Sequence, residues 1–372
     1  MVSIAVSFVV MIVAGAVSAG FRNEIHSALS DLGGDLRVMP VNYKIGQQES
    51  AMRADSSLLA QLGGIRGVSA VQPVIYRPGI AKGSEDIQGV VFKGIPSADS
   101  VGMGVTVPRR LASMLRLREG DSMLSYFVGE RLVTRKFEIA GIYDGIVTTD
   151  DRMVVLCDID VLRRINRWDE DESTALEIRL DADLGDASST EDACRSVSYL
   201  LYDRGQRGCD DGQSLLCTSL YSEYPQLFDW LHLIDSNVAF ILVLMTIVAG
   251  LNMVVGLLIL LFENISTIGL LKSMGMRNRG IAEVFLRCSS ALVLKGMLWG
   301  NAVGISLCLL QKHTHLLTLD PDNYFLSFVP MHLNVPAVLL CDAAAYVVIM
   351  LVLLVPCRFI SGVCPSSTLS CE

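Results

Sequence analysis

Hydrophobic positions follow two kinds of pattern along this chain. Val2 to Ala19 contains no charged residue, and further apolar stretches run from Val238 to Phe262, from about Ser289 to Leu310 and from about Val335 to Val355. Each is near the roughly 20 helical residues needed to cross about 30 Å of hydrocarbon, so four transmembrane helices are expected. From about Phe21 to Ser236 the pattern changes to short apolar runs broken by turn signals. Val68 to Tyr76 precedes Arg77-Pro78-Gly79 and Gln88 to Ile95 precedes Pro96, which reads as strands. Ser56 to Leu62, Arg109 to Leu117 and Ile159 to Ile165 read as helices. The expected fold class is therefore an α-helical membrane protein with four transmembrane helices and a large α+β extracytoplasmic domain, in one or two lobes, inserted between helices 1 and 2.

The boundaries that follow are helix 1 at 1–20, the domain at 21–236, helix 2 at 237–262, a connection at 263–287, helix 3 at 288–311, a loop at 312–334, helix 4 at 335–356 and a tail at 357–372. Ala16-Val17-Ser18-Ala19 resembles a cleavage site, but no Lys or Arg precedes the apolar run. A signal peptide would need that charge, so a retained helix is the better reading. Lys272, Arg277, Arg279 and Arg287 lie in the connection between helices 2 and 3, against only Lys312 between helices 3 and 4. The basic connection is expected in the cytoplasm, and the large domain outside.

Composition agrees with lipid as solvent. Of 372 residues, 51% are hydrophobic and 19% charged, with mean hydropathy +0.46, against about 25% charged in soluble domains. A net charge of -9 gives no basis for nucleic-acid binding, which uses clustered Lys and Arg. Lys295 and Asp342 interrupt helices 3 and 4. Charge at membrane depth raises a functional hypothesis, competing with snorkelling by Lys295 and a helix partner for Asp342. Ten cysteines occur. Cys288, Cys308, Cys341 and Cys357 read as small packing residues. Cys157, Cys194, Cys209 and Cys217 lie in the domain, where disulfides can form in an oxidising compartment with a pairing the sequence leaves open.

No catalytic motif is recognisable. There is no Gly-x-x-x-x-Gly-Lys-Ser/Thr loop to cradle ATP, no His-Glu-x-x-His among His26, His232, His313, His315 and His332, and no Gly-x-Ser-x-Gly elbow. Asp169 to Glu172 and Asp181 to Asp186 read as solvated acidic turns rather than cation loops. The sequon at Asn264-Ile265-Ser266 falls on the cytoplasmic side. The chain is expected to be non-catalytic, with no metal and no cofactor of its own. The informative stretch is Glu263 to Phe285. Ile265, Ile268 and Leu271 recur at helical spacing, Gly275 to Gly280 breaks the pattern, and Ile281, Val284 and Phe285 resume it. Two short amphipathic pieces flanking a basic turn suit either the inner leaflet or a groove on a cytoplasmic partner.

Glu263, Ile268-Gly269-Leu270-Leu271-Lys272 and Gly275-Met276 resemble the signature between spans two and three of the mechanotransmission-type ABC transporter permeases. That family includes the lipoprotein-releasing complex, the macrolide exporter (MacB) and the cell-division permease (FtsX). Phe21-Arg22-Asn23-Glu24-Ile25, Val71 to Ala81, Arg135 to Tyr143, Tyr224 to Leu231 and Leu298-Trp299-Gly300-Asn301 resemble the lipoprotein-releasing branch over nearly the whole chain. The resemblance implies a multi-pass protein of the bacterial inner membrane with a MacB-like periplasmic domain. It implies a separate cytoplasmic ABC ATPase subunit that binds the ATP, a second permease protomer in a homo- or heterodimer, a lipoprotein substrate, and contact with membrane lipid. It makes Glu263, Gly269, Lys272, Gly275, Met276, Arg277 and Arg279 the expected ATPase-coupling residues. Alternatives are efflux of small molecules or peptides, and regulation of an extracytoplasmic hydrolase. The sequence departs from the pattern in three places. Met1 abuts the apolar run where the family has a cytoplasmic segment, so either the start is misassigned or an entry helix is lost. The tail from Val363 to Glu372 lacks the family's basic residues, and Asp342 stands where a neutral residue is expected.

Overall fold

The computed structural model describes residues 2–41, 51–83, 86–96, 104–129, 132–143, 153–181, 187–207, 213–319, 326 and 328–359. Cys209, most of the second acidic turn (residues 182–186) and the tail from Val363 to Glu372 lie outside them. The chain divides into two compact units, one of residues 1–24, 229–320 and 326–372, the other of 25–228 and 321–325.

In the first unit four helices are long and apolar enough to cross a membrane, among the described residues. They are contributed by α1 (Val2–Gly33), α7 (Pro225–Glu263), α9 (Asn278–Thr314) and α10 (Val335–Phe359). At about 1.5 Å per residue, the 32 residues of α1 and 39 of α7 exceed the hydrocarbon thickness. Ile4, Phe8 and Met11 of α1 meet Ala249, Met253 and Leu257 of α7, Val293 of α9, and Ala345, Ile349 and Leu353 of α10 in one buried cluster. Lipid is as apolar as leucine, so association in it depends on close packing, and small residues permit that. Gly300 and Gly304 of α9 do so: a Cβ on Gly300 would lie 2.7 Å from the Phe8 Cβ, and one on Gly304 would lie 3.3 Å from the Ile12 Cβ.

The second unit is the α+β region. Its elements, in chain order, are β1 (Leu36–Pro40), β2 (Met52–Arg53), α2 (Ser56–Gly63), β3 (Val68–Lys82), β4 (Ile87–Ile95), β5 (Gly104–Pro108), α3 (Arg109–Met114) and β6 (Ser122–Phe127). They continue with β7 (Val133–Tyr143), β8 (Val154–Asp158), α4 (Ile159–Asn166), β9 (Glu172–Ser173), β10 (Ala175–Leu180), α5 (Ala187–Gln206), β11 (Leu215–Ser219) and α6 (Leu220–Glu223).

Two lobes share β3. Its first half pairs antiparallel with β10, which continues through β1 to the edge strand β11. Its second half pairs with β4, and the ladder runs through β8, β5, β7 and β6 back to β3, closing a six-stranded barrel. The barrel is filled by Phe92, Phe127 and Phe137, with Phe92 and Phe137 stacked at 5.4 Å between centroids. The open sheet is covered by α2 and α5 through Leu58, Leu62, Val197 and Leu201 against Leu36, Val38, Leu176 and Ile178.

Two expected ends move. β3 does not stop at Tyr76: Pro78 stays in register opposite Val91, and Gly79 admits the Phe92 ring, whose Cε2 would be 3.0 Å from a Cβ there. The Arg77-Pro78-Gly79 signal marks a close approach inside a strand. α3 ends at Met114 rather than Leu117, because Arg116 turns left-handed at φ 52 and hands the Leu117 N–H back to the Ala112 carbonyl at 2.8 Å.

Candidate coupling site

One residue, Asn264, separates α7 from α8 (Ile265–Ser273). Ile268 of α8 is buried against Leu261 of α7 and Ile281 of α9, with Leu271, Ala282 and Phe285 packed around them. Of the apolar positions that repeat at helical spacing, Ile268, Leu271, Ile281 and Phe285 are thus spent on α8's own neighbours. Val284 is 53% exposed, and Leu270, Met274 and Met276 are also outward, 56%, 77% and 37% exposed.

A Schellman turn stops α8. Gly275 takes φ +88, its N–H donates to the Lys272 carbonyl at 3.0 Å, and the Met276 N–H donates to the Leu271 carbonyl at 3.0 Å. These bonds satisfy the last carbonyls of the helix, and only a residue without a Cβ enters this conformation freely. Arg277 then caps α9, its carbonyl accepting from the Gly280 N–H at 2.9 Å. The expected second amphipathic piece is not separate: Ile281, Val284 and Phe285 lie in the first turns of α9, which runs unbroken to Thr314. Gly280 does not break it, because the cap has already set the helical path.

Of the seven residues expected to couple, Gly275, Met276, Arg277 and Arg279 come together at this turn. Lys272 is half-buried in the last turn of α8, Glu263 is the exposed last residue of α7, and Gly269 is buried beside Ile268. Lys272 complements the negative end of α8. Arg277 and Arg279 stand at the positive end of α9, whose first turn carries no acidic residue. Cations there oppose the helix dipole, so the tip is a place where an anionic surface is favoured.

The other singled-out positions have ordinary neighbours. Asp342 of α10 is buried and accepts a hydrogen bond from Asn301 Nδ2 of α9, so it does face a helix partner. Lys295 is exposed on α9. Cys308 is buried, whereas Cys288 is exposed. Among the described residues no group of three or more His, Cys, Asp or Glu could hold a metal ion.

Sequence reasoning missed a buried charge network in the α+β unit. Glu177 of β10 accepts from Lys93 Nζ at 2.8 Å, from Gln72 Nε2 at 3.1 Å and from the Tyr76 hydroxyl. Arg37 of β1 donates to the Tyr76 hydroxyl at 3.0 Å and to the Gly33 carbonyl at 3.3 Å, and pairs with Glu223 of α6. Lys93 also donates to the Leu32 carbonyl. Burial pushes the Lys93 ammonium below its usual range, with the Glu177 carboxylate opposing. Burial likewise pushes the Tyr76 hydroxyl well above its own. The network ties the end of α1 and the short helix α6 to four strands.

Residues 239–368 match the family described as FtsX-like permease C-terminal. The lipoprotein-releasing system transmembrane protein LolC of Xylella fastidiosa (strain 9a5c) is 20% identical over 396 residues, spanning 99% of this chain and 92% of that protein. Among solved structures, the periplasmic region of MacB from Actinobacillus actinomycetemcomitans is 13% identical with TM-score 0.34, covering 50% of this chain and 89% of that one. The extracellular domain of the noncanonic ABC-type transporter YknZ from Gram-positive bacteria is 12% identical with TM-score 0.32, covering 50% and 98%. Four apolar helices make this a multi-pass membrane protein, and its C-terminal region, residues 239–368, is similar to the FtsX-like permeases.

Proposed function

We propose that this chain is the permease subunit of a machine that releases lipoproteins from the bacterial inner membrane, driven by ATP hydrolysis on a separate cytoplasmic ATPase. The observation that carries the coupling role is the tip at Met274 to Arg279. Apolar side chains there are exposed and two arginines stand at an uncompensated positive helix end, while Ile268 and Leu271 hold α8 against α7 and α9. Such a tip suits a groove with an acidic rim better than passive residence on a leaflet, because Ile268, Leu271, Ile281 and Phe285, most of the stripe a leaflet would take up, are already packed. Similarity to LolC along almost the whole chain supports the lipoprotein substrate.

In this reading two permease protomers pair with each other and with two ATPases. Nucleotide binding biases a two-state assembly whose motion enters at α8 and leaves through the helices to the outer domain. Two experiments test it. Replacing Lys272, Arg277 and Arg279 together with Glu is expected to abolish co-purification of the ATPase with the permease. Undiminished co-purification overturns the coupling role. Depleting the chain in its host is expected to hold lipoproteins in the inner membrane. Normal lipoprotein release together with raised drug sensitivity would move the assignment to efflux.

A further inference from the structure

The pairing of cysteines that the sequence leaves open has a geometric answer. Cys194 lies on α5 and Cys217 on β11, opposite Val38 of β1, and their Sγ atoms are 3.1 Å apart. A disulfide needs about 2.05 Å, so closing the gap takes a movement of about 1 Å across a helix and strand already packed in one core. Among the described residues Cys157 has no such partner: its Sγ faces the Lys93 carbonyl at 3.6 Å, in the barrel. We propose that Cys194 and Cys217 are joined as a disulfide in the native protein. This rests on the reading above that the α+β unit lies outside the cytoplasm, where thiols are oxidised.

The two sulfurs are unequal in a way that suits oxidation. Cys194 is half-exposed, and its thiol is held below the usual range by the hydrogen bond it shares with Cys217. Cys217 is buried, and that bond together with burial holds its proton far above the usual range. Cys194 is therefore the attacking thiolate. It attacks a sulfur of a disulfide carried by a thiol–disulfide oxidoreductase, forming a mixed disulfide and expelling one oxidant thiolate. Cys217 then gives up its proton, and its sulfur displaces the second oxidant thiol. This chain loses two thiols and gains one S–S bond, while the oxidant's disulfide is reduced to two thiols. The consequence is mechanical. Among the described residues β11 is an edge strand with one strand neighbour, β1, and it leads directly into α6. The bond anchors that edge to α5.

The test alkylates intact cells with N-ethylmaleimide, purifies the full chain in detergent and maps its peptides without reduction. The expected result is a Cys194–Cys217 linked peptide that separates under dithiothreitol and is absent from the Cys194→Ser variant. In parallel, a cysteine introduced by Lys136→Cys on the exposed face of β7 is labelled on intact cells with a membrane-impermeant maleimide, against the wild type. If Cys194 and Cys217 are both alkylated while Lys136→Cys is labelled from outside, the disulfide is overturned and the orientation stands. If both are alkylated and Lys136→Cys is protected, the orientation fails and the disulfide with it. A link from either cysteine to Cys209 also overturns the proposal.

Discussion

The two units of this chain are fastened in opposite ways. In the α+β unit, six side chains from four strands and α6 bury a chain of charges and hydrogen bonds centred on Glu177. In the helical unit, α1 and α9 meet through Gly300 and Gly304, with no room for a Cβ at the first, and the buried Asp342 has a single described partner in Asn301. The difference follows from the solvent each unit replaces. A unit folding from water is driven by apolar burial and tolerates an ion cluster whose members satisfy one another. Helices already in lipid have no such drive and hold by contact.

Removing the centre of the ionic cluster has the largest expected effect. Glu177→Ala leaves Lys93 buried without its carboxylate and should cost about 3–5 kcal/mol, read as a lowered thermal midpoint of the purified protein in detergent. The double variant Glu177→Leu with Lys93→Met should recover most of that loss, since it removes both charges. Should the single variant be as stable as wild type, the cluster does not hold the unit together. Gly300→Leu tests the other fastening. Overpacking against Phe8 and the Ala5 carbonyl should cost about 1–3 kcal/mol, and cysteine cross-linking between α1 and α9 should report the helices pushed apart.

Gly275→Ala comes next. Its left-handed backbone makes a side chain there cost about 1–2 kcal/mol, felt at the tip rather than globally, so ATPase association should weaken while the thermal midpoint barely moves. Tyr143→Phe has the smallest effect at neutral pH, about 1 kcal/mol for the hydroxyl that donates to the Val154 carbonyl at 2.7 Å. Burial raises the Tyr143 hydroxyl above its ordinary value near 10. The folded state therefore keeps a proton that the unfolded chain loses, and stability falls as pH climbs above about 10. A denaturation series from pH 8 to 11 should show a shallower alkaline fall in the variant.

The sequence announces what local pattern can announce. The apolar runs, α2, α4 and β4 sit where periodicity and turn residues put them, and the Gly275 stop is readable as a helix end. β3 misleads because Pro and Gly signal a turn unless a distant ring, here Phe92, occupies the space the glycine vacates. α5 escapes such a reading, since its buried face, Val197 and Leu201, is diluted by Ser, Asp and Arg. The ionic cluster joins Arg37, Tyr76, Lys93, Glu177 and Glu223, whose separations along the chain carry no periodicity. Gly300 and Gly304 are visible at their four-residue spacing, but only the opposing Phe8 and Ile12 make that spacing meaningful.

β3 sets a limit on how this unit can be taken apart. The same fifteen residues are a rail of the open sheet and a stave of the barrel. No cut along the chain yields both lobes whole, so a graft of either one into another permease must carry the entire strand. A shear applied to one sheet arrives in the other with no hinge between them to absorb it.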